Sequence, residues 1–108
     1  MTPRSRRLPV RFTPAASGDL DVAFAFVSQR NRSAALELLA RLEGAAERLS
    51  THPEMGAALA VEDFEFAAPG IRFVAVEPYL IFYRATAGAV VILRILHARQ
   101  DSRGALFE

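Results

Sequence analysis

The amino-acid sequence predicts an α+β domain with the element order β-α-α-β-β-β, a helical hairpin packed on one face of a small antiparallel sheet. Three observations predict it. Two adjacent segments carry apolar residues at helical spacing. After Pro69-Gly70 the texture changes to short runs rich in β-branched and aromatic residues. Two-residue breaks separate those runs, as between antiparallel neighbours. With 108 residues the chain is one domain, spanning 1–108. A domain of that size buries roughly two thirds of its unfolded surface.

Leu8 to Thr13 alternates apolar and polar residues and predicts a half-buried first strand. Thr13-Pro14 then reads as a helix start, Thr as the N-cap and Pro in the first helical position. Ala16, Leu20, Ala23, Phe24 and Val27 recur at helical spacing and give the first helix one apolar face. The polar stretch from Gln29 to Ser33 breaks the pattern, with Asn31 or Ser33 as the cap of a second helix. There Ala35, Leu38, Leu39, Leu42, Ala46 and Leu49 form the stripe, and Glu37 and Arg41 make an i,i+4 pair. Pro53 ends the hairpin. Ile71–Val76, Tyr79–Thr86 and Ala89–Ala98 are three strands, punctuated by Glu77-Pro78 and Ala87-Gly88. Ala57–Ala68 reads as a connecting loop or as a short extra strand around Val61–Phe66.

Composition narrows the chemistry. The chain has no cysteine, which excludes a disulfide framework, a thiolate nucleophile and a thiolate metal site. All thirteen basic residues are arginine, so no lysine is present to act as a general base. Twelve acids leave a net charge of +1, which gives no strong phosphate footprint. Arg4, Arg6 and Arg7 are not followed by an apolar run of signal-peptide length. The longest apolar stretch, Ala89 to Leu96, is interrupted by Arg94 and is too short to span a bilayer. A soluble, cytoplasmic protein is expected, with no membrane contact. His52 and His97 show no metal-ligand spacing, so neither a metal nor a cofactor is expected.

Strand periodicity places several arginines on or beside an apolar sheet. It sets Arg84 with Leu80 and Phe82, and Arg94 with Val90, Ile92 and Leu96, while Arg72 opens the first strand after the break. A buried unpaired charge is costly, so each arginine must reach solvent, an internal acid or a partner. His97, Arg99 and Asp101 lie where the last strand leaves the sheet. His97 there is placed for general acid or base work, or with Asp101 it hydrogen-bonds to terminate the strand.

The sequence resembles the RelE/ParE toxin superfamily of type II toxin–antitoxin systems over most of its length. The resemblance rests on Phe12-Thr13-Pro14-Ala15-Ala16 with Asp19-Leu20, on Leu49 with Pro53 and Gly56, and on Pro69-Gly70-Ile71-Arg72. Its strongest pieces are Pro78-Tyr79-Leu80-Ile81-Phe82-Tyr83-Arg84 and Ile92-Leu93-Arg94-Ile95-Leu96-His97-Ala98-Arg99-Gln100-Asp101.

The superfamily divides by mechanism. Its ribosome-dependent mRNA endoribonucleases, the RelE-like branch, use basic residues on the sheet and often a C-terminal tyrosine. Laid on this sequence, that pattern leaves Arg72, His97 and Arg99 as the catalytic alternative. A third basic position falls near Val74, the catalytic arginine falls at Leu80, and the tail offers Ala105 and Phe107 where the tyrosine stands. RNA cleavage needs a base, an acid and charge stabilisation of the phosphate, and Leu80 supplies none of these.

The resemblance therefore favours the ParE-like branch, which is not enzymatic and inhibits DNA gyrase by protein–protein binding, with growth arrest and plasmid stabilisation as outcomes. It implies a cognate antitoxin with a DNA-binding domain and an acidic, disordered tail that folds on the toxin. DNA would be met only through that antitoxin, in a heterotetramer or larger complex. Under this reading Arg72, Arg84, Arg94, Leu20, Phe24 and Leu42 bind the antitoxin. Arg99, Asp101, Leu106 and Phe107 reach the target.

Overall fold

The computed structural model describes residues 7–58 and 70–98. The chain forms β1 (Val10–Phe12), α1 (Pro14–Arg30), α2 (Arg32–Thr51), β2 (Ala57–Ala58), β3 (Ile71–Val76), β4 (Tyr79–Ala85) and β5 (Val90–His97). The expected Val61–Phe66 strand lies outside the described residues, although Ala57–Ala58 just before it pairs with β3. Gly70, with φ at +94°, turns the chain into β3 through a conformation that a Cβ makes unfavourable.

Each helix starts where its capping residue predicts. Thr13 Oγ1 accepts from Ala16 N at 3.0 Å, and Pro14 occupies the first turn, where its missing N–H goes unneeded. Asn31 is the second cap, accepting from Ala34 N at 3.0 Å. The break between the helices is thus Asn31 alone, shorter than the five residues from Gln29 to Ser33. Asn31 N–H also closes the last turn of α1 on Val27 O, so this residue ends one helix and begins the next.

Among the described residues the sheet is five-stranded, in the order β1-β5-β4-β3-β2. β2, β3, β4 and β5 pair as antiparallel neighbours, while β1 lies parallel to β5, Val10 opposite Val90. The sheet is therefore mixed, where the sequence predicts an antiparallel one. A parallel partner needs a long crossover, and here the intervening chain supplies it by returning β5 to the side of β1. No local pattern announces that pairing.

The helices cover one face. Ala16, Ala23, Leu38, Leu42, Ala45 and Leu49 pack on Tyr79, Ile81, Tyr83, Val90, Ile92 and Ile95. The opposite face carries a second cluster of Ile71, Phe82 and Leu96, with Phe73, Leu80 and Leu93 against it. On β4 the strict alternation holds, and Arg84 shares the outer face with Leu80 and Phe82 as expected. On β5 it fails. The register slips opposite Phe82 and Tyr83, which face Arg94 and Ile92 and leave Leu93 unpaired. This bulge inverts the facing of the residues beyond it. Ile92 and Ile95 both face the helices, Leu96 faces away, and the expected grouping of Ile92 with Leu96 is corrected.

Candidate functional site: an apolar groove beside β1

Between β1 and α2 the surface dips above the buried sheet residues Ile81, Ile92 and Ile95. The resulting groove has a volume of about 670 Å³. Val10 and Phe12 form one wall, Leu42 and Ala46 the other, and Ile81, Ile92 and Ile95 the floor, with Leu20 from α1 beside them. Its rim is charged: Arg7 faces Glu47 across the mouth at 2.9 Å, with Glu43 nearby. Both members of that ion pair are more than half exposed, so it contributes little to stability. Leu8 N–H donates to Ser50 O and ties the chain before β1 to the end of α2. Phe12 remains 40% exposed at the groove wall.

Among the described residues, no further strand lies beside the wall at β1, which is a strand edge. Val90 N–H donates to Pro9 O, and Thr13 N–H donates to Ile92 O, so the odd-numbered residues of this segment face β5. Period two then directs the peptide groups of Val10 and Phe12 the other way, beside the groove.

The residues singled out from sequence fall into different surroundings. Leu20 and Leu42 meet in the groove. Phe24 is half-buried in the seam between the helices, with Leu20, Leu38 and Leu39. Arg84 is exposed on the outer face. Arg94 is engaged internally: its Nε and Nη2 donate to the two carboxylate oxygens of Asp19 at 2.8 and 2.9 Å. This fork raises the pKa of Arg94 above its usual value. Arg72 Nη1 donates to the carbonyls of Gly56 at 2.7 Å and Glu54 at 3.4 Å, a role in fixing the turn after α2. Arg99, Asp101, Leu106 and Phe107 lie outside the described residues. Arg41 does not pair with Glu37 in a visible ion pair; it donates to the carbonyl of Glu77 and fastens α2 to the β3–β4 link.

Arg72 and His97 do not form one centre. Arg72 lies opposite Tyr83, while His97 lies opposite Tyr79. Four residues of strand separate those positions along β4, roughly 13 Å. His97 packs edge-on against the Tyr79 ring, 5.1 Å between centroids. Tyr79 and Tyr83 both have pKa values raised above 10.0 by burial, and for Tyr83 the Gly56 hydrogen bond and the nearby Arg72 oppose the shift. A phenol held neutral in this way is a poor general base at neutral pH.

Sequence reasoning missed the groove and Asp19. The groove is a gap between elements, visible only once β1 is placed on β5. Asp19 reads as an acid near a helix start, yet its partner lies 75 residues away.

Comparison with known proteins adds the family. Residues 10–102 match the family described as the ParE toxin of type II toxin-antitoxin system, parDE. The chain is 38% identical over 90 residues to Toxin ParE3 of Caulobacter vibrioides, covering 82% of this chain and 85% of that protein. Among solved structures it is similar to a chain of the chromosomal ParDE system from P. aeruginosa, with a TM-score of 0.67 and 21% identity. That match covers 84% of this chain and 96% of the other. A chain of the E. coli DinJ-YafQ toxin-antitoxin complex shares the fold at a TM-score of 0.53 and 16% identity, covering 90% of this chain and 99% of that one. Motifs, fold and relatives agree, and the chain belongs to the ParE toxin family of type II toxin–antitoxin systems.

Proposed function

We propose that this ParE-type toxin acts by binding DNA gyrase, without catalysis of its own, and that a cognate antitoxin neutralises it by filling the groove between β1 and α2. The observation that carries the antitoxin part is the groove itself, apolar on walls and floor and bordered by a strand edge. Such a site suits a segment that folds as it binds, burying apolar side chains while its backbone pairs with the edge. Leu20 and Leu42 belong to that contact, joined by Val10 and Phe12. Phe24 supports it from the helix seam, and Arg84 remains available to an acidic tail on the outer face. Arg72 and Arg94 contribute to it less, since their guanidinium groups already serve internal acceptors.

The gyrase part rests on family membership and on the separation of Arg72 from His97, which removes the most direct arrangement for cutting RNA. Arg99, Asp101, Leu106 and Phe107 are proposed to reach the target from the chain beyond β5. The site of action is the cytoplasm, and DNA is contacted only through the antitoxin, in a heterotetramer or larger assembly. No helix among the described residues is long and apolar enough to cross a membrane.

Purified toxin added in excess to gyrase and relaxed plasmid tests the reading. Loss of supercoiling with accumulation of cleaved DNA is expected, and prior addition of the protein encoded by the adjacent reading frame restores supercoiling. Unaffected gyrase, together with cleavage of messenger RNA on programmed ribosomes, would transfer the chain to the nuclease mechanism.

A further inference from the structure

β5 is eight residues long, but β1 lies beside only Val90, Val91 and Ile92. From Leu93 to His97 no strand among the described residues pairs with its outer edge. An open length of strand is a template for pairing with another chain. Here side chains from the start of the helical hairpin occupy it. Thr13 Oγ1 donates to the Leu93 carbonyl at 2.9 Å. Asp19 Oδ2 accepts the Ile95 N–H at 2.9 Å, while Arg94 closes on both oxygens of the same carboxylate. The bulge at Leu93 adds local twist, which further disfavours continuation of the ladder.

We infer that Asp19 guards this edge: its carboxylate takes the Ile95 N–H and so prevents β5 from pairing with the β5 strand of a second copy of the chain. The strand itself identifies the excluded occupant. Antiparallel pairing about a two-fold axis at Ile95 sets Ile95 opposite its own copy and Leu93 opposite His97, a self-complementary contact. An inward-facing acid at a strand edge is a known means of blocking such association. Two features separate this role from simple ion pairing: the Ile95 amide needs an oxygen acceptor, and Arg94 needs a charge. The guard leaves the groove on the far side of β1 as the accessible place for backbone pairing, and it does not depend on gyrase being the target.

Oligomeric state, measured by light scattering on purified toxin at about 100 µM, tests the inference. Wild type is expected to be a monomer and Asp19→Ala a concentration-dependent dimer. Asp19→Asn keeps an oxygen for Ile95 while losing the charge, and Arg94→Met keeps the carboxylate; both are expected to stay monomeric. A folded Asp19→Ala that remains monomeric overturns the proposal, as does dimeric wild type. Amide exchange in wild type decides the matter where Asp19→Ala does not fold. Ile95 should exchange at least about 100-fold more slowly than an unprotected amide, and free exchange there equally removes the guard.

Discussion

Tyr83 shows how one side chain holds a turn. Its hydroxyl donates to Pro53 O at 2.8 Å and accepts from Gly56 N at 2.9 Å, while Arg72 binds the Gly56 carbonyl from the other side. The ring is fully buried, and the bond from Gly56 forms away from water while that to Pro53 is part-buried. Tyr83→Phe leaves the Gly56 N–H without a partner and is expected to cost about 1–3 kcal/mol in urea unfolding. Gly56 has no room for a side chain, since a Cβ there would lie 2.6 Å from the Tyr83 hydroxyl and 2.7 Å from the Phe73 carbonyl. Gly56→Ala is expected to lose a further-reaching set of contacts, again at about 1–3 kcal/mol. The raised pKa of Tyr83 gives the same node a pH signature. A group that holds its proton more tightly when folded contributes stability below its unfolded pKa of 10.0 and loses it as pH rises through the folded value. Urea midpoints measured between about pH 8 and pH 11 should fall with pH, and less steeply in Tyr83→Phe. An equal slope in both proteins would assign the alkaline loss to other groups, Tyr79 among them.

Among the elements, those with a strong local signal were legible from sequence. Thr13-Pro14 marks a helix start because a cap and a pre-set φ act within one turn, and Asn31 does the same for α2. β3, β4 and β5 follow from composition and two-residue links. What was not legible depends on distance in the chain. β1 chooses its partner about 80 residues later, and the β5 bulge depends on which residues of β4 lie opposite. The helical patterns were legible: Ala16, Leu20, Ala23 and Val27 face the core, while Val22 and Phe26, outside the predicted apolar face, are exposed. Arginine roles were the least legible, since a guanidinium reads alike in sequence whether it meets Asp19, a carbonyl or solvent. Thr13 joins two elements, capping α1 and donating to Leu93 O of β5. Thr13→Ala is expected to cost about 1–2 kcal/mol, near the upper end of a normal cap because both contacts are lost. Thermal unfolding followed by circular dichroism measures it.

At the scale of the molecule, stability and the proposed recognition share residues. Leu42 is buried against the sheet and also lines the groove. Leu42→Asp places a carboxylate in apolar surroundings and is expected to remove more than about 3 kcal/mol, unfolding the hairpin contact and with it both toxicity and antitoxin binding. A milder change, Phe12→Ser at the exposed wall, should leave the fold intact and weaken antitoxin binding by about tenfold or more in titration calorimetry. Removal of the residues after Arg99 is expected to spare the circular dichroism spectrum and reduce growth inhibition. Full inhibition by the shortened chain would place the target contact elsewhere.

The pairing of β1 with β5 has a consequence for synthesis. Contacts between distant parts of a chain form late, and a protein made from its N-terminus acquires them only when the far partner has emerged. β1 is translated well before β5, the strand that fixes it in place. The groove wall therefore comes into being only after β5 has emerged from the ribosome. Under the proposed function, an antitoxin that reads this wall would capture chains in which β5 has been made and ignore shorter nascent chains.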